Sequence, residues 1–305
     1  MKAVRIHAYG GPEVLTVEDV PRPEPGTGQV LVRIRAAGVN PADWKIRAGY
    51  FKDFMPLQLP AILGFDFSGE IEAAGPGVTS FRKSGLVYGT AMGTYAEYVA
   101  ANLAEIALKP ASLDFVQAAS IPVAAQTAWQ ALFDAGGLAA GGKVLIHGAA
   151  GGVGSFAVQL AKAKGVYVIG TGSEQNQEYL KQLGVDEPVD YRKTRFEDVA
   201  RNVDVVFDTQ GGETQQRSWQ VLKRGGVLVS IVQQPSQEEA AKYGAKAVFL
   251  GRQPNAQQLV EFARLADAGK LKTSVDAVMP LAEARRAQEL SQTGHARGKI
   301  VLTCD

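Results

Sequence analysis

Eight residues carry the strongest chemical signal in the chain: positions 147–154 read His-Gly-Ala-Ala-Gly-Gly-Val-Gly. Set on the spacing Gly-x-Gly-x-x-Gly, Ala149, Gly151 and Gly154 take the three glycine positions, with alanine departing at the first. That spacing suits a pyrophosphate. Gly151 and Gly152 have no Cβ to hold a phosphate away from main-chain N–H groups, and Gly154 lets a following helix sit close on its sheet. A helix starting there adds aimed N–H donors and a partial positive charge. Ala149, Gly151, Gly152, Val153 and Gly154 are therefore the expected cradle of a dinucleotide; the plainer alternative is a structural turn.

A site for NAD usually places Asp or Glu about 20 residues beyond the loop, on the ribose 2′-hydroxyl. Here the next strand ends Ile169-Gly170-Thr171-Gly172-Ser173, and the first carboxylate, Glu174, falls in the following helical turn. A strand-end carboxylate would repel a 2′-phosphate, whereas hydroxyls and amides would accept it. Ser173, Asn176, Tyr191 and Arg192 are the expected donors, and NADPH the expected cofactor. Ser173 acting only as a helix cap is compatible with this. Metal chemistry finds no donor set: His7, His147, His295 and Cys304 are the whole supply of His and Cys, scattered without ligand spacing, so no metal is expected. His147 reads as a satisfied strand residue rather than a general acid. No Ser-His-Asp order and no pair of catalytic carboxylates stands out.

The elements that must position the loop follow from periodicity. Lys143 to His147 is an apolar strand, and Ser155 to Lys164 has helical spacing. Val166 to Ile169, Val203 to Phe207, Val227 to Ile231 and Ala247 to Leu250 read as further strands, separated by helices at Asn176 to Leu183 and Thr214 to Leu222. Strands alternating with helices mean a parallel sheet with crossover helices. A helix over Asn255 to Ala268 closes that region, followed by a helix at Leu281 to Leu290 and a strand at Lys299 to Thr303. The first ~110 residues differ: Val30 to Ala36 alternates apolar and charged positions, and Val4, Ile6, Leu15, Val17, Ile71 and the Tyr95–Val99 run add short strands between dense turn signals. These predict a barrel-like or sandwich-like domain.

Composition bounds the rest. Hydrophobic residues are 46% and charged residues 21% of 305, so the chain is globular, and the net charge of +1 supplies no field for nucleic acid. The short basic runs Arg192-Lys193-Arg195 and Arg285-Arg286 read as solvated surface. Phe115 to Phe133 carries no charge but contains Pro122, three glutamines and two hydroxyls; it reads as a buried helical region broken near Pro122, not a membrane span. The opening Met1 to Gly11 has no apolar run, so no secretory signal is expected, and a single cysteine fits a reducing compartment, the cytoplasm.

Several stretches together resemble the zinc-independent medium-chain dehydrogenase/reductases, the quinone oxidoreductase (zeta-crystallin-like) branch. They are Gly11-Pro-Glu-Val-Leu, Val39-Asn-Pro-Ala-Asp-Trp, Gly64-Phe-Asp-Phe-Ser-Gly, Tyr95-Ala-Glu-Tyr-Val, Ala128-Trp129, Gly148 to Gly154 and Arg297-Gly-Lys-Ile-Val-Leu, and they span essentially the whole chain. The resemblance implies an α/β fold: a GroES-like β-rich substrate domain from residues 1–121 and 268–305, and a Rossmann doubly wound parallel-sheet domain from 122–267, with the active site between them. The family's alcohol dehydrogenases place zinc ligands where this chain has Asn40 and Phe65, so the implied chemistry is hydride delivery to an electron-poor quinone, or to a 2-alkenal or enone. The resemblance implies Asn40, Asp43, Tyr50 and Thr127 at the reacting end, and Gln210, Ile231 and Phe249 along the cofactor. For Asn40 a strand-end turn, for Asp43 a helix-end charge, and for Tyr50 and Thr127 ordinary packing remain open. It also implies a homodimer. A dinucleotide-binding protein with a non-enzymatic role, RNA-binding or structural, stays open too. The chain departs from the family at Asn176, where many members carry lysine, and at Lys83-Ser-Gly-Leu and the short Tyr88–Thr94 segment, where the substrate rim differs.

Overall fold

The computed structural model describes residues 1–294 and 296–304 and divides into two compact units, Met1–Val123 with Pro254–Asp305, and Ala124–Gln253. His295 lies outside the described residues. The helix Ala256–Asp267 belongs to the first unit, whereas the sequence reading placed residues 254–267 in the dinucleotide-binding domain. It packs against the strand Ile106–Leu108, and the Tyr88 hydroxyl donates to Leu259 O at 2.6 Å.

The first unit is built on the eleven-residue strand Gln29–Val39. Its first half alternates as expected, with Val30, Val32 and Ile34 buried and Arg33 and Arg35 on the other side. Ala36 to Val39 are buried on both faces, and the residues are small because another segment lies on them: a Cβ on Gly38 would stand 2.5 Å from Ala119 O. One edge of this strand pairs with Asp66–Ala74. The other pairs with Tyr98–Asn102 along its first half and with Lys299–Thr303 along its second, all antiparallel. Leu86–Thr90, Ile106–Leu108 and Val275–Pro280 complete the seven-stranded sheet, and Thr16–Asp19, Lys2–Ile6 and Ala61–Ile62 form a second sheet of three. Leu15 is not in a strand; it closes the single turn Pro12–Val14.

The second unit is a six-stranded parallel sheet in the order Glu187–Asp190, Tyr167–Gly172, Lys143–Ile146, Val203–Asp208, Leu222–Ser230, Lys246–Phe249. Chain order reverses on either side of Lys143–Ile146, the topological switch point where such sheets bind ligands. Glu187–Asp190 was invisible in the sequence because it is four residues long and contains Pro188, which only an edge strand accommodates. The uncharged stretch breaks into Phe115–Ala119 and Pro122–Trp129, with Pro122 opening the second helix, and a π-helical turn follows over Gln130–Ala135. No described helix is long and apolar enough to cross a membrane.

Candidate functional site

In the second unit, every expected cofactor residue stands at the carboxyl edge of the sheet. Lys143–Ile146 runs into the glycine loop and then the helix Gly154–Ala163. Gly148 turns the chain with φ +65°. Its N–H donates to Thr171 Oγ1 at 3.2 Å and Ala149 N–H to Thr171 O at 2.9 Å, so the loop is pinned to the neighbouring strand. The N–H groups of Gly152 and Val153 have no partner among the described residues, which leaves them free for an anion. The three glycine positions do different work. A Cβ on Gly154 would stand 2.2 Å from Gly148 O, an impossible approach, whereas one on Gly151 would meet only that oxygen, at 3.3 Å. Gly154 is required by packing; at Gly151 only the Gly148 carbonyl crowds the position, and the rest of the loop's outer face is a cradle that a diphosphate fits.

Beneath the loop, His147 is fully buried, and burial pulls its imidazole down to about 4. Its Nε2 lies 2.9 Å from Ser218 Oγ and its Nδ1 3.3 Å from Thr171 Oγ1. Ser218 spends its own proton on Thr214 O at 2.7 Å, so His147 donates through Nε2 and accepts from Thr171. The neutral ring thus holds the threonine that holds the loop.

Next along the edge, Tyr167–Gly172 ends at Ser173, whose hydroxyl accepts from Asn176 Nδ2 at 3.1 Å. Tyr191 N–H donates to Gly172 O at 3.3 Å, and the Arg192 guanidinium lies over the Tyr191 ring. Lys193, read from the sequence as solvated surface, is exposed and ion-paired with Glu174. Glu174 is therefore matched by a cation, which follows the unrecognised strand Glu187–Asp190; that strand also brings a second carboxylate in register with Gly172, that of Asp190, whose Oδ1 accepts from Arg192 N–H at 3.0 Å. On the other side of the switch point, buried Asp208 accepts from Gln210 N–H at 2.9 Å, Gly211 N–H at 2.8 Å, Gln215 Nε2 at 2.9 Å and Ser230 Oγ at 2.8 Å. That carboxylate shapes the turn presenting Gln210. Ile231 follows Leu222–Ser230, and Phe249 ends the outer strand, paired with Ser230 and half-exposed. Thr127 is nearly buried on Pro122–Trp129, between Gln126, which accepts from Arg252, and Gln130, which bonds Gln253.

In the first unit, Asn40 and Asp43 come together and Tyr50 stands apart. Asn40 precedes the helix Pro41–Arg47, and its N–H donates to Asp43 Oδ2 at 2.7 Å. The same oxygen accepts from Tyr95 OH at 2.7 Å, while Asp43 Oδ1 has no partner among the described residues. Burial pushes the Asp43 carboxyl up to about 7 and the Tyr95 phenol well above its ordinary range. Tyr50 is 68% exposed and meets the Trp44 ring edge-on at 5.8 Å. Sequence reasoning assigned no role to Lys299, Asp66 or Tyr95, although all three sit in the quoted motifs. Lys299 Nζ donates to Asn40 Oδ1 at 2.5 Å and lies 3.2 Å from Asp66 Oδ2; Asn40 Nδ2 donates to that same carboxylate oxygen at 2.9 Å.

Residues 26–111 match the alcohol dehydrogenase GroES-like domain family, and residues 183–302 the zinc-binding dehydrogenase family. The 2-methylene-furan-3-one reductase of Solanum lycopersicum is 35% identical over 99% of this chain and 79% of its own length. Among solved structures, the quinone oxidoreductase of Coxiella burnetii is 38% identical with a TM-score of 0.91, covering 100% of this chain and 99% of its own. The Escherichia coli quinone oxidoreductase complexed with NADPH is 26% identical with a TM-score of 0.89, covering 100% of both. The second family's description raises the question of zinc, and the first unit does not fit it. Phe65 offers no donor, and the oxygens of Asn40 and Asp66 already face the Lys299 ammonium, against whose charge a divalent cation would have to sit.

Proposed function

We propose that this chain, which belongs to the quinone oxidoreductase branch of the medium-chain dehydrogenase/reductase family, is an NADPH-dependent reductase that delivers hydride to quinones without zinc. The observation that carries this reading is the carboxyl edge of the parallel sheet. It offers the N–H groups of Gly152 and Val153, unpartnered among the described residues, for a diphosphate, and Lys193 neutralises Glu174 beside the expected 2′-phosphate donors. The NADPH bound in the Escherichia coli structure supports the choice of cofactor.

When bound, the reduced nicotinamide supplies the hydride. The chain's own residues hold and orient. The loop N–H groups and the start of Gly154–Ala163 hold the phosphates, and Ser173, Asn176, Tyr191 and Arg192 receive the 2′-phosphate, with Lys193 beside them. Gln210, Ile231 and Phe249 line the remaining length of the cofactor. Asn40 donates an amide N–H to the acceptor's oxygen as negative charge grows there, and Asp43 fixes the main chain of Asn40. Thr127 and Tyr50 orient nicotinamide and acceptor. With no Lewis acid, the acceptor must already be electron-poor, which favours quinones over alcohols. The tomato relative favours a second reading, a 2-alkenal or enone reductase, in which the same donor serves the carbonyl and a proton is added at carbon. The proposal extends to a cytoplasmic homodimer, tested by sedimentation and cell fractionation.

The decisive experiment measures NADPH and NADH oxidation by chelator-treated protein with 1,4-quinones, 2-alkenals and primary alcohols. Fast quinone turnover with NADPH, at least about tenfold better in kcat/KM than with NADH, is expected. Faster alkenal turnover would select the second reading, and no turnover with any acceptor would remove the enzyme.

A further inference from the structure

Sheet register places three side chains in a row. Ile300 pairs with Val39 on one side of the long strand, which brings Lys299 beside Asn40; Asp66 pairs with Gly38 on the other side. All three are buried: Asp66 completely, with Asn40 and Lys299 no more than 5% exposed. Asp66 is held in turn by Val123 N–H, 2.7 Å from its second oxygen. A buried ion pair is weak evidence of a stabilising device, because apolar side chains of similar volume usually serve stability as well or better. Here the two charges have a chemical consequence. An ammonium can only donate and a carboxylate can only accept. An amide held between them has one orientation: Oδ1 toward Lys299 and Nδ2 toward Asp66. The second Nδ2 hydrogen has no partner among the described residues.

We propose that Lys299 is a positioning residue. Its ammonium holds the Asn40 amide with a free N–H presented, and pulls density from the amide carbonyl so that this N–H is a stronger donor to an oxygen gaining negative charge. The inference rests on the reading of Asn40 given above. It makes the site an oxyanion donor by construction, with a fixed cation where related dehydrogenases use a metal to polarise the substrate directly.

The test is a double-mutant cycle on kcat, with NADPH affinity and circular dichroism as controls, using Asn40→Ala, the pair Asp66→Asn with Lys299→Met, and the triple variant. Removing an oxyanion donor typically costs about 100-fold or more in kcat, so Asn40→Ala should lose about that. The charge-removed pair should lose about tenfold or more with NADPH affinity unchanged, and the triple variant should be no worse than Asn40→Ala. Unchanged kcat in Asn40→Ala would overturn the role of Asn40 itself. A large loss there, combined with additive losses in the triple variant or with no loss in the pair, would overturn the role of Lys299 alone. Should the pair fail to fold, Lys299→Arg keeps the charge and alters the donor geometry. It should lower kcat several-fold at constant NADPH affinity, and wild-type kcat in that variant would overturn the proposal.

Discussion

The two units bury polar groups in different ways. In the first, side chain meets side chain among Lys299, Asp66 and Asn40 and between Asp43 and Tyr95, the main-chain N–H of Asn40 joining the two sets, between residues up to 259 positions apart. In the second, the buried side chains also meet one another, as Asp208 meets Gln215 and Ser230, but their partners include the main chain of the turns. Thr171 holds Gly148, Thr209 holds His147 O, and Asp208 holds Gln210 and Gly211, all at strand ends within one sheet. The first arrangement presents a functional group of a side chain. The second shapes backbone so that bare N–H groups face outward. Each should therefore break differently: the second unit by adding an atom, the first by removing a charge.

The largest effect is expected from the smallest addition. Gly154→Ala drives a methyl into Gly148 O. Either the loop or the helix must move, which should cost about 2–4 kcal/mol of stability and abolish NADPH binding together. Gly151→Asp is the informative partner, since its Cβ meets only Gly148 O, at 3.3 Å, which need give by only a few tenths of an ångström. Urea midpoints should stay near wild type while NADPH affinity falls by about 100-fold or more, from a carboxylate and bulk set against the diphosphate. Equal loss of stability in both variants would mean the loop is a packing device and nothing else.

This contrast also explains what the sequence disclosed. Backbone chemistry leaves a local trace, because only glycine opens the space, so the loop could be located from spacing, and the place of residues 173, 176, 210, 231 and 249 at or just beyond strand ends from the strand pattern. Side-chain networks leave none. Asp66 and Lys299 stood in motifs already quoted, yet nothing local says that residue 299 lies beside residue 40; that follows from antiparallel register alone. The edge strand Glu187–Asp190 was lost to Pro188 and its four-residue length, and with it the pairing of Lys193 with Glu174. The helix Ala256–Asp267 was periodic and therefore seen, but its partner, the first unit, is set by tertiary packing that periodicity does not encode.

An intermediate effect is expected at His147. Replacement by Leu leaves the Thr171 hydroxyl without its acceptor in a buried place, a cost of about 1–3 kcal/mol. The pH dependence is more diagnostic. The folded imidazole titrates near 4 and the unfolded one near 6.5, so between those values the unfolded chain binds more protons and stability rises with pH, levelling above 6.5. Hydrogen exchange of Lys143–Ile146 amides, followed from pH 4.5 to 7.5 with intrinsic rates corrected, should slow relative to that baseline as pH rises in the wild type. His147→Leu should flatten that slope.

The smallest effect, with the opposite sign, belongs to Asp43. Its ordinary carboxyl value is 3.8, and burial raises it to about 7 in the folded protein. Between those values the folded state holds more protons than the unfolded one, so this group lowers stability as pH rises and adds no further change above 7. Asp43→Asn copies the protonated acid in shape and keeps an oxygen for Asn40 N–H and Tyr95 OH. The variant should therefore match the wild type near pH 3.5 and exceed it by about 1–2 kcal/mol at pH 7.5, less than a full pKa conversion gives because the site relaxes. Exchange of Gln29–Val39 amides is the readout, since that strand carries Asn40 at its end. Wild-type behaviour at both pH values would place the Asp43 carboxylate in contact with water or a cation, and the contrast between a charge-built unit and a backbone-built one would then rest on Lys299 and Asp66 alone.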